Sequence, residues 1–177
     1  MSKILTCPLP SNLNPLSPTG FQFSIQKLPN ITFFCQEVNL PDISIGSPEF
    51  NTPLSMIPIA GEMISYGNLT VQFLVDEQMA NYKSIYNWIT GLGFPESHQQ
   101  YKDFISSDSR GIRGELAKNY SDATLTILGP NNTSVQNIQF VDLFPISLDS
   151  INFVSNVDDI QYLVGNATFK FNLYKFV

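Results

Sequence analysis

The stretch from Ile57 to Gly91 constrains the fold of this 177-residue chain more than any other segment. A glycine-marked turn leads into a strand predicted from Leu69 to Val75, in which alternate residues are apolar. An acidic corner follows, and then one amphipathic helix that carries Trp88, the only tryptophan in the chain. A single helix in a chain otherwise rich in strand patterns predicts a mainly β fold.

The helix is predicted from about Glu77 to Thr90. Asp76 is its predicted N-cap, because a carboxylate can accept hydrogen bonds from the free N–H groups of the first turn. Gly91 and Gly93 supply the stop. The apolar residues spaced at i, i+3, i+4 and i+7 are Tyr82, Ile85, Tyr86 and Ile89. This stripe predicts that the helix packs across a sheet.

Charged residues make up only 14% of the chain, and the net charge is −6. Sparse charge is typical of surfaces that neighbouring subunits cover, and equally of an ordinary, weakly charged β domain. The negative balance argues against a protein that binds a nucleic-acid backbone, which requires clustered Lys and Arg. No apolar run approaches the ~18 residues of a transmembrane helix, so we expect no contact with a membrane.

The first 20 residues form a Pro-rich N-terminal arm that precedes one β domain, residues 21–177. Proline fixes φ and lacks an N–H donor, so four prolines in this arm predict an extended segment. Its leucines, among them Leu9, Leu13 and Leu16, predict contact with a neighbouring subunit, and a disordered start is the alternative.

Two alternating stretches, Phe21–Lys27 and Ile31–Val38, predict a β-hairpin with its turn at residues 28–30. Cys35 falls in the second stretch and is predicted to be packed and unreactive. The next long loop, residues 46–56, contains two prolines, and long ordered loops often make contacts. We therefore predict subunit contacts at Pro48, Phe50, Pro53 and Leu54.

Residues 94–122 are polar and are predicted to form an insertion in the β domain. The segment is either a solvated insertion or a contact loop for a partner protein. The last third predicts a β meander, with strands over Ala123–Leu128, Val135–Val141, Leu148–Val154 and Leu163–Phe176 and an acidic turn at 156–159.

No catalytic or cofactor-binding pattern is present in the sequence. It lacks a phosphate-binding glycine loop and a nucleophile elbow. His98 is the only histidine, and a metal site needs several ligands. We therefore predict no enzyme activity, no cofactor and no bound metal. A β-sandwich module that binds carbohydrate through Tyr101 and Tyr120 is an alternative.

The ordered set of motifs resembles the tail tube proteins of contractile-tailed, T4-like bacteriophages. The paired strands that end at Asn39-Leu40-Pro41 resemble the opening of that family. The segment IPIAGEMISYGNLTVQFLVDE is similar to the turn, strand and acidic corner before the family's helix. FVDLFPISLDSINF and VDDIQYLVGNATFKFNLY resemble its closing strands. The resemblance covers about residues 21–93 and 123–176.

The resemblance implies a β-sandwich or barrel with one flanking helix, assembled into hexameric rings that stack into a hollow tube. It implies a virion protein made in the host cytoplasm, with sheath, baseplate or terminator proteins as partners. DNA would pass through the lumen without specific binding. The net charge of −6 is consistent with an acidic lumen that repels phosphates. The position of the ring, along the tube, at the baseplate or at the terminal end, stays open.

The inner tube of a bacterial contractile injection apparatus is the nearest alternative, since it would share the fold and the mechanism.

Overall fold

Eleven strands and three helices make up the described part of the chain. The structure is a computed structural model, and it describes residues 15–107, 119–156 and 162–177. The strands are β1 (Phe21–Ile25), β2 (Cys35–Val38), β3 (Ile43–Ile45), β4 (Glu49–Asn51), β5 (Met56–Pro58), β6 (Ile64–Tyr66), β7 (Leu69–Leu74), β8 (Ser121–Leu128), β9 (Ser134–Leu148), β10 (Val164–Lys170) and β11 (Leu173–Phe176). The helices are α1 (Pro29–Phe34), α2 (Ala80–Gly93) and α3 (His98–Ser107).

Two antiparallel sheets share the long strand β9. Sheet A contains β1, β8, the first part of β9, and β11. Sheet B contains β2, β7, β10 and the last part of β9. β8 follows one side of β9 as far as Leu143, while β11 and then β10 follow the other side in one nearly continuous register. This arrangement confirms the predicted mainly β class. The structure adds two helices, α1 and α3, to the one that was predicted.

The shared strand bends at Asp142, a non-glycine residue with a φ of 56°. The side chain of Asn172 donates to Asp142 Oδ2 over 2.8 Å, and its backbone N–H donates to Val141 O over 3.0 Å. These bonds hold the break between β10 and β11 beside the bend in β9. Pro145 lies opposite Phe169, where the register between β9 and β10 shifts. Such an irregularity accommodates a proline, because proline has no N–H group to donate to the neighbouring strand.

One hydrophobic core lies between the two sheets. Sheet A contributes Phe23, Ile25, Ala123, Leu125, Ile138 and Phe140, and sheet B contributes Leu69, Val71, Phe73, Ala167 and Phe169. Helix α2 adds Ile85 and Trp88 to this core, and the indole ring of Trp88 packs 6.4 Å from the ring of Phe169. The predicted helix stripe is thus partly confirmed, since Ile85 is buried and Tyr86 is exposed.

The connection between β7 and α2 is built around Asn81, which is fully buried. Its side-chain amide donates to Leu74 O over 2.7 Å, and its carbonyl oxygen accepts from the N–H of Tyr82 over 2.8 Å. Asp76 accepts a hydrogen bond from the N–H of Ala80, as predicted for a carboxylate at this corner. The N-cap position itself is Met79, with a φ of 54°, so the helix begins three residues later than predicted.

The prediction that residues 21–38 form a hairpin is wrong. β1 pairs with β8 and β2 pairs with β7, about 100 and 35 residues further along the chain. Residues 28–30, predicted to form the hairpin turn, instead lead into α1. Pro29 occupies the first turn of this helix, where a backbone N–H has no partner within the helix, so its absence does not destabilise the helix. Burial of Ile31 in the core fixes this helix and separates the two strands.

The closing strands also differ from the prediction. β9 runs from Ser134 through Pro145 to Leu148, and residues 148–154 do not form the predicted separate strand. The predicted strand over 163–176 is divided into β10 and β11. Most of the predicted acidic turn at 156–159 lies outside the described residues.

Helix α3 lies in the segment that was predicted to be a polar insertion. The ring of Phe104 packs on Gly91 of α2, so closely that a Cβ atom at Gly91 would lie 2.8 Å from that ring. The ammonium group of Lys27 lies 4.0 Å from the Phe104 ring centre and 5.1 Å from that of Trp88. The first part of this segment is therefore packed on the domain, while residues 108–118 are outside the described part.

Replacing Trp88 by alanine should lower the free energy of unfolding by about 3–5 kcal/mol, because a large buried side chain leaves a cavity. Trp88 is 2% exposed, and its indole N–H also donates to Asn119 O over 3.1 Å. Urea unfolding followed by circular dichroism measures the loss. Tyr86→Ala is the matched control, since that side chain on the same helix is 55% exposed and should change stability by less than about 0.5 kcal/mol. Equal losses for the two variants would contradict the packing described here.

Candidate subunit interface

A hairpin projection, residues 42–67, extends from the start of β7, and nearly all of its residues are exposed. Its base is the β3–β6 ladder, in which Ile43 pairs with Tyr66 and Ile45 pairs with Ile64. Its outer part is the β4–β5 ladder, in which Phe50 pairs with Ile57. The predicted loop over residues 46–56 is therefore largely part of a two-stranded ribbon.

The base of the projection has one apolar and one polar face. Directly opposed residues of an antiparallel pair share a face, so Ile43, Ile45, Ile64 and Tyr66 lie together. Ser44 and Ser65 lie on the other face, where their hydroxyl groups are 2.7 Å apart. Tyr66 packs against Phe171 and Tyr174 at ring distances of 5.6 and 5.4 Å. The apolar face is thus joined to the core at one end and exposed along the rest of its length.

The tip of the projection is a turn between Thr52 and Ser55. The N–H of Thr52 donates to Ser55 O over 3.0 Å, and the hydroxyl group of Thr52 accepts from the N–H of Ser55 over 3.1 Å. This turn presents Pro53 and Leu54 to solvent, and the side chain of Leu54 is 98% exposed. A single exposed leucine is common on protein surfaces, but Leu54 adds to the many exposed apolar residues of this projection.

Two glycines allow the strands of the projection to approach each other. A Cβ atom at Gly61 would collide with the carbonyl oxygen of Gly46, and one at Gly67 would collide with the carboxylate of Asp42. The N–H of Gly61 donates to Gly46 O over 2.7 Å, and the N–H of Gly67 donates to Asp42 O over 3.0 Å. The glycine-marked segment of the sequence therefore shapes the projection.

The projection carries Asp42, Glu49 and Glu62 and contains no Lys or Arg. Its exposed surface also carries several serines and many large apolar side chains, including Ile45, Met56 and Met63. An apolar surface without cations is suited to contact with protein and unsuited to contact with a phosphate backbone.

The predicted contact residues occupy two places. Pro48, Phe50, Pro53 and Leu54 all lie on the projection and are exposed, Phe50 by 59%. Leu16, 60% exposed, lies just before β1, while Leu9 and Leu13 are outside the described residues. Whether any of them touches another subunit remains a prediction. The exposed residues of the base, Ile43, Ile45 and Ile64, were missed, although the alternation in ISI and ISY is the pattern of a half-covered strand.

A family model described as phage tail tube protein matches residues 5–177. The chain belongs to the phage tail tube protein family. This confirms the resemblance inferred from the motifs, and the protein is a structural tail tube component. A comparison with curated protein sequences gave no match.

Solved structures of similar fold come from contractile injection systems. A chain of the anti-feeding prophage baseplate is 10% identical, with a TM-score of 0.64 over 94% of this chain and 97% of that chain. A chain of the anti-feeding prophage tube-terminating cap is 14% identical, with a TM-score of 0.60 over 99% of both chains. A chain of the PVC extracellular contractile injection system, sheath–tube complex in the extended state, is 17% identical, with a TM-score of 0.58 over 93% of both chains. At these identities the likeness concerns the fold.

The residues considered for other activities make ring contacts within the domain of this tail tube protein. The imidazole ring of His98 stands edge-on to Phe94 at 5.5 Å and lies 5.9 Å from the ring of Tyr101. Tyr120 packs against Phe144 at 5.6 Å. A shallow groove of about 250 Å³ on sheet B is lined by Glu37, Asn39, Thr70, Gln72, Asp149 and Asn166, and by none of these rings. The described residues contain no group of three or more acidic, His or Cys side chains placed to hold a metal ion.

No helix in the described ranges is long and apolar enough to span a membrane. Cys35, predicted to be packed, lies partly buried against the core. Burial raises the pKa of its thiol from 9.0 to about 11, and the contact of Sγ with the backbone oxygen of Glu37 opposes this shift.

The thiol of Cys35 should therefore react slowly in the folded protein. A rise of about two pKa units lowers the thiolate fraction at pH 8 by roughly 100-fold, and the thiolate is the reactive form. Alkylation by iodoacetamide, followed by mass spectrometry in a Cys7→Ser chain, should be slower by roughly 10- to 100-fold than in the same chain unfolded in urea. Equal rates in the two states would contradict the burial of this side chain.

Proposed function

We propose that this protein forms hexameric rings that stack into the tube of a contractile phage tail, through which DNA leaves the virion. The observation that carries the proposal is the family match over nearly the whole chain, joined to an apolar projection that its own domain leaves uncovered. The protein would be made in the host cytoplasm and would act as a conduit, without catalysis or cofactor. Sheath proteins and baseplate or terminator proteins would be its partners.

The projection supports assembly because many of its apolar side chains stay largely exposed in the domain. Ile43, Ile45, Phe50, Leu54 and Met63 are each more than half exposed. A contact between this surface and a different surface of the next copy is heterologous, and such contacts form rings or open stacks. Leu9, Leu13 and Leu16 of the N-terminal arm would add to the contact between subunits.

The inner tube of a bacterial contractile injection apparatus is a second candidate. It is favoured by the similar chains of the anti-feeding prophage and PVC particles, whose structures are of a baseplate, a cap and a sheath–tube complex. The fold and the ring geometry would be the same, and the cargo would differ. A phage tail is preferred because the matching family is that of phage tail tube proteins.

Negative-stain electron microscopy and light scattering of the purified protein test assembly directly. Hexameric rings or tubes are expected, and a compact monomer at high concentration would refute the proposal. Copurification with the sheath protein encoded in the same genome would then distinguish a sheathed tail tube from an isolated ring.

Replacing Phe50 and Leu54 together by aspartate should raise the protein concentration required for assembly by at least about tenfold, since each 1.4 kcal/mol of lost contact energy is a factor of ten. The monomer should keep its stability, because both side chains are exposed. The control is Asn87→Asp, which adds one negative charge, against two in the double variant, on the exposed side of α2. Unchanged assembly of the double variant would exclude the tip of the projection from the subunit contact.

A further inference from the structure

We propose that residues 4–16 of the N-terminal arm dock as a polyproline II helix on an aromatic strip, formed by Tyr66, Tyr174 and Phe176, in a second copy of this chain. The inference deepens the proposed function and rests on it, because it needs subunits that assemble. The arm of one copy would be the ligand and the strip of the next copy its receptor, so the contact is heterologous.

The N-terminal arm has an apolar residue at every third position from 4 to 16. A polyproline II helix has three residues per turn, so these positions form one stripe along it, with a spacing of about 9 Å. The four prolines of the arm favour this conformation. The other two rows contain Leu5 and Leu9 among prolines and polar residues. The stripe residues are Ile4, Cys7, Pro10, Leu13 and Leu16.

The aromatic strip begins on β11, the outer strand of sheet A, and continues onto the base of the projection. The rings of Phe176 and Tyr174 lie 5.9 Å apart, and the rings of Tyr174 and Tyr66 lie 5.4 Å apart. The pair of Ile45 with Ile64 extends the strip, because it follows Tyr66 on the same face of the β3–β6 ladder, about 6.8 Å further along. The whole strip is roughly 18 Å long, which is the length of two turns of a polyproline II helix.

The core holds the aromatic rings in place and leaves part of the strip uncovered. Phe171 is buried and packs against Tyr66 and Tyr174 at ring distances of 5.6 and 6.1 Å. Phe176 is 61% exposed, and Ile45 and Ile64 are each 54% exposed. Aromatic rings that are fixed in this way form the grooves in which proteins recognise polyproline II segments.

Tyr66 and Tyr174 add hydrogen-bond donors to the strip. Neither hydroxyl group donates to an acceptor among the described residues. A polyproline II helix makes no internal backbone hydrogen bonds, so its carbonyl oxygens can accept from these groups. In an α-helix the interior carbonyl groups already accept hydrogen bonds. The strip is therefore suited to an extended, Pro-rich segment.

A second copy of the chain is the source of the arm, because the arm begins away from the strip of its own domain. The arm leads into β1, and β8 and β9 lie between β1 and β11, so about 14 Å separates these two outer strands of sheet A. Leu16, the last stripe residue, is 60% exposed. The domain therefore does not cover its own stripe at the point where the described chain begins.

The charges of the two surfaces are complementary. Residues 1–16 contain one cation, Lys3, and no acidic side chain. The projection contains Asp42, Glu49 and Glu62 and no Lys or Arg. Attraction between exposed charges is weak and is screened by salt, so it favours the approach of the arm while apolar contact supplies most of the affinity.

Substitutions in the arm test the stripe. Leu13→Ser removes a stripe residue and should raise the protein concentration required for assembly by at least about tenfold. Leu5→Ser makes the same change on another row of the same arm, and as the matched control it should change that concentration by less than about threefold. Equal effects of the two substitutions would overturn the stripe.

Tyr66→Phe and Tyr174→Phe test the strip, because each removes a hydroxyl group and keeps the ring. Each should raise the concentration required for assembly by roughly 2- to 10-fold, which corresponds to one lost hydrogen bond. Tyr86→Phe, on the exposed side of α2, is the matched control and should have no effect. Unchanged assembly of both strip variants would contradict recognition through the hydroxyl groups.

Photo-crosslinking of the full chain locates the arm directly. Benzoylphenylalanine is incorporated in place of Leu13, and the assembled protein is irradiated. The expected product is a covalent dimer in which mass spectrometry finds position 13 joined to Tyr66, Tyr174, Phe176 or Ile64. A link within a single chain, or a link to a surface other than the strip, would overturn the proposal.

The outcomes distinguish this inference from the proposed function. Rings or tubes without a link between arm and strip would overturn the docking and leave the proposed function standing. Linked dimers or open oligomers without rings would support the docking and contradict the hexameric tube. A chain that stays monomeric at high concentration would overturn both.

Discussion

The hydrogen bonding of β9 on both of its sides is the interaction on which the rest of the structure depends. β8 covers one side, and the consecutive strands β11 and β10 cover the other. Because β9 bends at Asp142, its first part belongs to sheet A and its last part to sheet B. Two sheets of one chain are thereby held face to face, and the core between them can be filled by alternate residues of both.

Closure of this core accounts for the contrast between the domain and its projection. The sandwich buries its own apolar side chains, since at most 1% of the surface is exposed at Phe23, Phe73, Phe140 and Phe169. The projection is only two strands wide, and an isolated two-stranded ribbon has no second layer to cover its apolar face. The monomer thus buries the apolar side chains of its sandwich and exposes those of its projection, which gives a physical reason for assembly. The low content of charged residues in the chain is consistent with this reason.

The sequence predicted local structure well wherever one periodicity extended over six or more residues. The strand beginning at Leu69, the strand ending at Leu128 and the helix with Trp88 were each located to within a few residues. It failed for the opening hairpin and for the strand after Pro145. Alternation shows which side chains share a face, but it carries no information on which distant strand completes the ladder. The prolines were read as interruptions, whereas Pro29 fits the first turn of a helix and Pro145 fits a shift of register.

For the candidate interface, the exposed loop residues such as Phe50 and Leu54 could be named from composition and proline content, but the apolar face of the base could not. That face exists only because Ile43 and Ile45 are set opposite Tyr66 and Ile64 by strand pairing. The sequence by itself determined the mainly β class, the family, the single long helix and the two alternating faces of most strands, because these depend on residues that are close along the chain. Only the tertiary structure decided that β1 joins β8 and where the charged side chains lie, such as Lys175 opposite Gln139 in sheet A. Pairing between distant strands is set by the shared core, and net charge is a sum that does not record where each charge lies.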